Sequence, residues 1–313
     1  MRARIAFVSF GAALALACAP LSPVHQLETS ASQQQQMFQQ ALAANLKLAE
    51  AGEVEAMRNL GQIYAIGAGV RVNHVEALRW YTKAAERADA ESAYRLAVMT
   101  DFGVGTAPSA ADAARWLQVA AKQGHANAQR QLADMLAQGR GVTKDDVEAS
   151  RWYLEAARQG EPAAQSAIAQ RLDGGVGVEA NAAEALLWYR AAAERGSTLD
   201  QYQVGFHYDM GIGVPENDYE ALAWYRRAAE LGNTDAQYAL GTLHAETKGE
   251  LRDPIEACRW LEIAARVSYP NARRALMGVE RQLTARDLDD CRKLADEWTA
   301  KHAKPAPVSP PSS

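Results

Sequence analysis

Six histidines and three cysteines are the residues of this sequence best suited to metal or nucleophile chemistry. Cys18, Cys258 and Cys291 are too few and too scattered for a cysteine-rich zinc site or a disulfide framework. His25, His74, His125, His207, His244 and His302 do not cluster at ligand spacing within one helix. His207 and His244 fall near equivalent places of a repeat and could approach one another, but read better as surface groups than as ligands. No His-Glu-x-x-His, Gly-x-Ser-x-Gly, Cys-x-x-Cys or Ser-x-x-Lys is present, so neither catalysis nor a bound metal or cofactor is expected. Gly-x-Gly occurs as Gly67/Gly69, Gly103/Gly105, Gly139/Gly141, Gly175/Gly177 and Gly211/Gly213. A dinucleotide loop needs a third glycine and a preceding strand, so these pairs read as helix ends with a sharp turn.

The composition points the same way. Among 313 residues, 38 acidic against 33 basic side chains give a net charge of −5, without the basic stripe that nucleic acid requires. Hydrophobic residues make up 48% of the chain, many of them alanine, and aromatic ones only 7%. That balance favours packed helices over sheets, because alanine is the best helix former and strands prefer β-branched and aromatic residues.

The elements announce themselves by a step of 36. Trp80, Trp116, Trp152, Trp188, Trp224 and Trp260 are evenly spaced at that interval without insertion or deletion. An Ala-Ala pair follows each four residues on, from Ala84-Ala85 to Ala264-Ala265. The Gly-x-Gly pairs keep the same step, with Thr247/Gly249 as a worn sixth copy. Self-similarity at this period marks a solenoid. Within each unit the spacing predicts two antiparallel helices. Asn73, Ser109, Asp145, Asn181, Asn217 and Asp253 stand where the second helix should start, each with an acid three residues later, as in a capping box. Gly124, Gly160, Gly196 and Gly232 are the stop signals. The six tryptophans, beside small alanines, are expected to fill the core between units rather than to form stacking platforms for sugars or bases.

The full pattern is clearest from Val204-Gly205 through Tyr208, Gly211, Gly213, Val214, Asn217, Glu220, Ala221, Trp224, Tyr225, Ala228, Ala229 and Gly232. It resembles a Sel1-like repeat, a relative of the tetratricopeptide repeat. The resemblance implies an all-α, right-handed α-solenoid of antiparallel helix pairs. Six repeats would span 53–271, with a capping helix over 33–52 and a capping helix pair over 272–300. Local departures are Ala97, Ala133 and Ala169 in place of the usual glycine, and Thr106 and Glu250 in place of valine. Some cysteine-rich relatives are described as β-lactamase-like. This chain lacks their paired cysteines and a serine-lysine motif, so a hydrolase acting on peptidoglycan or β-lactams is only an alternative.

The ends carry other signals. Arg2 and Arg4, the apolar stretch from Ile5 to Leu16, and Ala15-Leu16-Ala17 before Cys18 together resemble a bacterial lipoprotein signal. Residues 1–17 would be removed and Cys18 lipidated, with Ala19 implying the outer membrane. The match is imperfect, since Ala15 and Leu16 stand where Leu and a small residue are usual, and ordinary cleavage to a soluble periplasmic or secreted protein is the alternative. Residues 18–32, followed by Gln33 to Gln36, read as a flexible tether, and the proline- and serine-rich 301–313 as a disordered tail. An oxidising location would permit Cys258 and Cys291 to pair. However, the step of 36 matches Cys291 to Ile255, nearly a turn from Cys258, so two separate packed thiols are the expectation.

Function would then rest on a surface. In this architecture the first helices line the concave side, and a helical wheel turns the places of Asn59, Gln62 and Ile66 outward. Later units put Arg95, Val98 and Phe102, then Gln131, Asp134 and Gln138, then Gln203, Phe206 and Met210 there. These side chains vary while the scaffold stays constant, which suits reading an extended partner. Phe102, Phe206 and Met210 are apolar where water is expected, so they are contact candidates unless they pack on the neighbouring unit. The expected partner is a protein or peptide of the cell envelope, with the membrane reached through a lipid at Cys18. No nucleic acid and no small-molecule cofactor is expected.

Overall fold

The computed structural model describes residues 23–302, with side chains from residue 33 onward. Cys18, the signal segment and the tail beyond His302 lie outside the described residues. Every regular element described is helical. The chain divides after Trp80 into two compact units.

In the first unit, α1 (Pro23–Glu50) packs on α2 (Val54–Ile66). Gln35 and Gln39 donate side-chain hydrogen bonds to the Gly69 carbonyl, at 3.0 and 2.9 Å. The capping helix expected over 33–52 therefore begins ten residues earlier, and residues 23–32, read as tether, are helical. The physical reason is local. Proline suits the first helical position, and nothing between Pro23 and Gln33 is a glycine or a second proline to break the run. α3 (His74–Ala85) crosses the division.

The second unit continues as α4 (Ala90–Phe102), α5 (Ala110–Lys122), α6 (Ala126–Gln138), α7 (Asp146–Arg158), α8 (Pro162–Gly174) and α9 (Ala182–Ala193). It goes on through α10 (Thr198–Met210), α11 (Asp218–Glu230), α12 (Thr234–Glu246), α13 (Pro254–Arg266), α14 (Ala272–Glu280) and α15 (Ala285–His302). From α4 to α14 each helix packs on the next in the chain, so a second helix lies between the first helices of its own unit and of the following one, and α15 packs on α13. This is an α-solenoid of helix pairs. Leu96, Leu132, Ile168, Val204 and Leu240 on the first helices are buried, and so are the alanines Ala120, Ala156, Ala192, Ala228 and Ala264 on the second helices. Each buried aliphatic side chain contributes roughly 1.5–3 kcal/mol, and the alanines let the helices approach closely.

Starts and stops follow the residues that signalled them, with one change. The side chains of Asn73, Ser109, Asp145, Asn181, Asn217 and Asp253 accept from the backbone N–H three residues on. The acids do not reach back to close a full capping box. The cap's own N–H instead donates to the preceding helix, as Asp145 does to the Leu136 carbonyl and Asn217 to that of Tyr208. The acid is thereby freed for the indole one turn on: Trp152 Nε1 donates to Glu148 at 3.2 Å and Trp260 Nε1 to Glu256 at 2.9 Å. First helices end on a left-handed glycine, for example Gly211 at φ 64°. Thr247 cannot adopt that conformation cheaply, and there the chain leaves α12 extended and makes a single 3-10 turn at Gly249–Leu251.

Two expectations are corrected. The tryptophan row is not uniformly core: Trp80, Trp224 and Trp260 are buried, but Trp116, Trp152 and Trp188 are only half-buried. The indole sits beside the acid at the helix start, so its depth depends on what the next unit lays over it. Cys258 and Cys291 form a disulfide, with their Cα atoms 5.8 Å apart. The step of 36 does not carry into the last pair. α14 has nine residues where regular first helices have thirteen, and α15 packs directly along α13. Both sulfurs lie in a core with Leu261, Leu276 and Val279.

Candidate partner-binding face

Four of the sequence-predicted contact residues come together. Val98 and Phe102 of α4, with Gln131 and Asp134 of α6, line a groove of about 320 Å³ that also takes in Tyr94, Asp101, Arg130 and Arg140. Phe102 is 76% exposed. Gln131 Nε2 donates to the Tyr94 hydroxyl at 3.0 Å, and Tyr94 stacks on His125 with ring centroids 4.5 Å apart. Arg95, the fifth, points to solvent and bonds Glu91 at 2.6 Å. Burial alone would raise the Glu91 carboxyl, but Arg95 and His125 outweigh it and hold it below the usual carboxylate range.

The charges of this groove are matched internally. Arg140 bonds Asp101 at 2.5 Å, and Arg130 bonds Asp134 at 2.6 Å and reaches Glu161 at 3.4 Å. Gln203, Phe206 and Met210 lie elsewhere, on α10, and do not line this groove. Met210 is 56% exposed, while Phe206 is half-buried and stacks on Tyr202 of its own helix at 6.3 Å. Ile66, at the matching place of the first unit, is exposed.

Sequence reasoning missed a row of phenol–carboxylate pairs on these helices. Tyr153 donates to Asp134 at 2.6 Å, Tyr225 to Asp209 at 3.0 Å and Tyr269 to Asp235 at 2.8 Å. Burial and the adjoining carboxylates push Tyr153, Tyr189 and Tyr225 well above the usual phenol range, and Tyr269 to about 12. A tyrosine follows four of the six tryptophans, as Tyr81, Tyr153, Tyr189 and Tyr225, and so is visible in the repeat, but the acid partners are not strictly periodic and Tyr269 lies outside that place. A second missed row is periodic. Gln129, Gln165, Gln201 and Gln237 are buried, and each donates to a carbonyl eight residues earlier, at the end of the preceding helix.

The two histidines read as surface groups are a further correction. His207 is 1% exposed, with Nδ1 2.9 Å from the Ile212 carbonyl and Nε2 3.0 Å from Asp173. His244 is also buried, with Nδ1 3.0 Å from the Leu251 carbonyl. Both secure the loop that follows a first helix, a task no motif announces. Among the described residues no cluster of three or more His, Cys, Asp or Glu is arranged to hold a metal ion. Nor is any described helix long and apolar enough to cross a membrane.

The family model of the Sel1 repeat matches residues 54–89, 90–125, 126–161, 162–197, 199–233 and 234–268. The chain belongs to the Sel1 repeat family. Sel1 repeats serve generally as scaffolds for protein–protein interaction. Among solved structures, the chain is similar to a Sel1 repeat protein from Oxalobacter formigenes. That likeness has a TM-score of 0.53 and 28% identity, covering 72% of this chain and 96% of the other. It is also similar in fold to a protective antigen present in uropathogenic Escherichia coli strains. There the TM-score is 0.61 and the identity 24%, over 87% of this chain and 76% of the antigen. No curated protein matches the sequence. In Sel1 terms, the groove of Val98, Phe102, Gln131 and Asp134 lies on the first helices of the second and third repeats.

Proposed function

We propose that this Sel1 repeat chain is a non-catalytic adaptor of the bacterial cell envelope that binds a protein or peptide on the exposed side of its first helices. The observation that carries this reading is the contrast between constant interior and variable face. An alanine pair, a buried aliphatic residue and a capping side chain recur in every unit, while one outward place changes among arginine, glutamine and alanine, as Arg95, Gln131, Ala167, Gln203 and Ala239. An exposed aromatic ring at Phe102, beside a groove of paired charges, is the composition of an interface patch rather than of inert surface. Export is supported by the signal-like residues 1–17, and by the Cys258–Cys291 disulfide, which persists where thiols are not kept reduced. A lipid on Cys18 would hold the protein at the outer membrane.

Two experiments test this. Crosslinking in the native envelope, followed by mass spectrometry, should capture a partner that is lost on Phe102→Glu while helicity is retained. Capture that is unchanged in that variant removes the proposed face. For the anchor, Cys18→Ser should abolish palmitate labelling and release the protein from the membrane fraction. A parent protein without label would instead be a soluble binder.

A further inference from the structure

The face of the first helices changes character along the second unit. At α4 and α6 its carboxylates have cations: Glu91 has Arg95, Asp101 has Arg140, and Asp134 has Arg130. At α10 and α12 they do not. Asp209 takes a hydrogen bond only from the Tyr225 hydroxyl, and Asp235 takes one from that of Tyr269. Among the described residues no lysine or arginine ion-pairs with Asp209, Asp235 or Glu246. Tyr202 feels both the Asp235 and the Asp209 carboxylates, while burial, with Asp218, Glu216 and Glu246, raises the Asp209 carboxyl.

Apolar side chains interleave with these acids. Leu199, Tyr202, Phe206 and Met210 follow one another at helical spacing along α10, so they share a face with Asp209. Leu199 and Met210 are exposed. A surface that leaves carboxylates without cations and aliphatic groups in water is complementary to a segment bringing both positive charge and apolar area. It disfavours an acidic partner, since like charges brought together there would add to repulsion already present.

We infer that the α10–α12 stretch of this face binds a cationic peptide segment, with lysine or arginine set among aliphatic or aromatic residues. This rests on the adaptor reading above and narrows it. The partner's cations would neutralise Asp209, Asp235 and Glu246, and its apolar side chains would cover Phe206 and Met210.

The probe is a randomised twelve-residue peptide library, panned on the purified protein. Enriched sequences should carry lysine and arginine in excess of the library, with aliphatic or aromatic neighbours. The best of them, synthesised, should bind at least about tenfold more weakly to the Asp209→Asn/Asp235→Asn variant, and weaken as salt is raised, since exposed charges are screened. Gln203→Lys is a second variant that leaves both tyrosine–aspartate bonds intact, and it should lose affinity with unchanged helicity. Enrichment of acidic or uncharged peptides, or cationic peptides that bind these variants as well as the parent, would overturn the inference. If such non-cationic peptides were lost on Phe206→Ala, only the charge assignment would fall. If the parent enriched no peptide, the adaptor reading would fall with it.

Discussion

Trp152 and Trp260 occupy the same place in the repeat and make the same bond to a glutamate four residues back, yet only Trp260 is fully buried. Trp260 also meets Trp298 of α15 edge to face, with centroids 6.0 Å apart. Trp260→Ala should therefore cost about 3–5 kcal/mol. Trp152→Ala should cost less, since part of its side chain already contacts water. Urea titrations of the two variants make the comparison, and equal losses would contradict the difference in depth. Asp209 offers a test of the opposite sign. Burial and neighbouring carboxylates raise its carboxyl from 3.8, so the folded chain holds that proton more firmly than the unfolded chain does. Ionised Asp209 is then a cost to folding at neutral pH, and the cost fades as pH falls toward 3.8. Asp209→Asn keeps an oxygen for the Tyr225 hydroxyl and removes the charge. Its Tm should exceed that of the parent at pH 7 and converge with it in acid. An unchanged or lower Tm at pH 7 would show that the Tyr225 bond needs the charge.

Among the connecting turns, two glycines of similar backbone geometry do different work. Gly232 has φ +87° with open space around it, so Gly232→Ala should cost only the left-handed strain, about 1–2 kcal/mol. Gly213 has φ +70°, and a Cβ there would lie 2.5 Å from the Ala182 carbonyl carbon at the start of α9. Gly213→Ala should add displacement of one unit from the next, and so cost clearly more in thermal melts. The last pair is held differently. The Cys258–Cys291 bond closes a separation of 33 residues, which by loop entropy contributes about 3–4 kcal/mol. Reduction should expose amides of α14 and α15 to hydrogen exchange and leave α4 to α9 protected. Uniform exposure would mean that the array melts as one block rather than from its end.

Along the second unit, the phenol–carboxylate pairs tie stability to alkaline pH. Tyr153, Tyr189, Tyr225 and Tyr269 all titrate above the ordinary value of 10.0, because burial and nearby acids disfavour the phenolate. The folded chain keeps these protons longer than the unfolded one. The stability they confer is therefore intact below pH 10 and falls as pH rises beyond it. The Tm should drop steeply above about pH 10, and less so in a Tyr153→Phe/Tyr225→Phe double variant. That variant loses the titrating groups along with two hydrogen bonds. A parent Tm that is flat to pH 11 would contradict this.

The periodic residues were sufficient for the helix pairs, their caps and their order, because those features depend on neighbours a few positions apart: a cap on the N–H three residues on, a glycine on its own φ. Phe102, Val98, Gln131 and Asp134 were likewise legible as one outward face, since helical geometry alone turns them the same way. What local spacing could not convey is what lies over each position. Trp152 and Trp260 look alike in the chain and differ in depth, and His207 looks like a surface residue until the Asp173 carboxylate and the Ile212 carbonyl close around it. Cys258 meets Cys291 because a short α14 breaks the register of 36, and no count along the chain reveals which neighbour α15 then chooses. Depth, charge pairing and cross-links are set by packing between distant segments, where many weak contacts together outweigh the preference of any one residue.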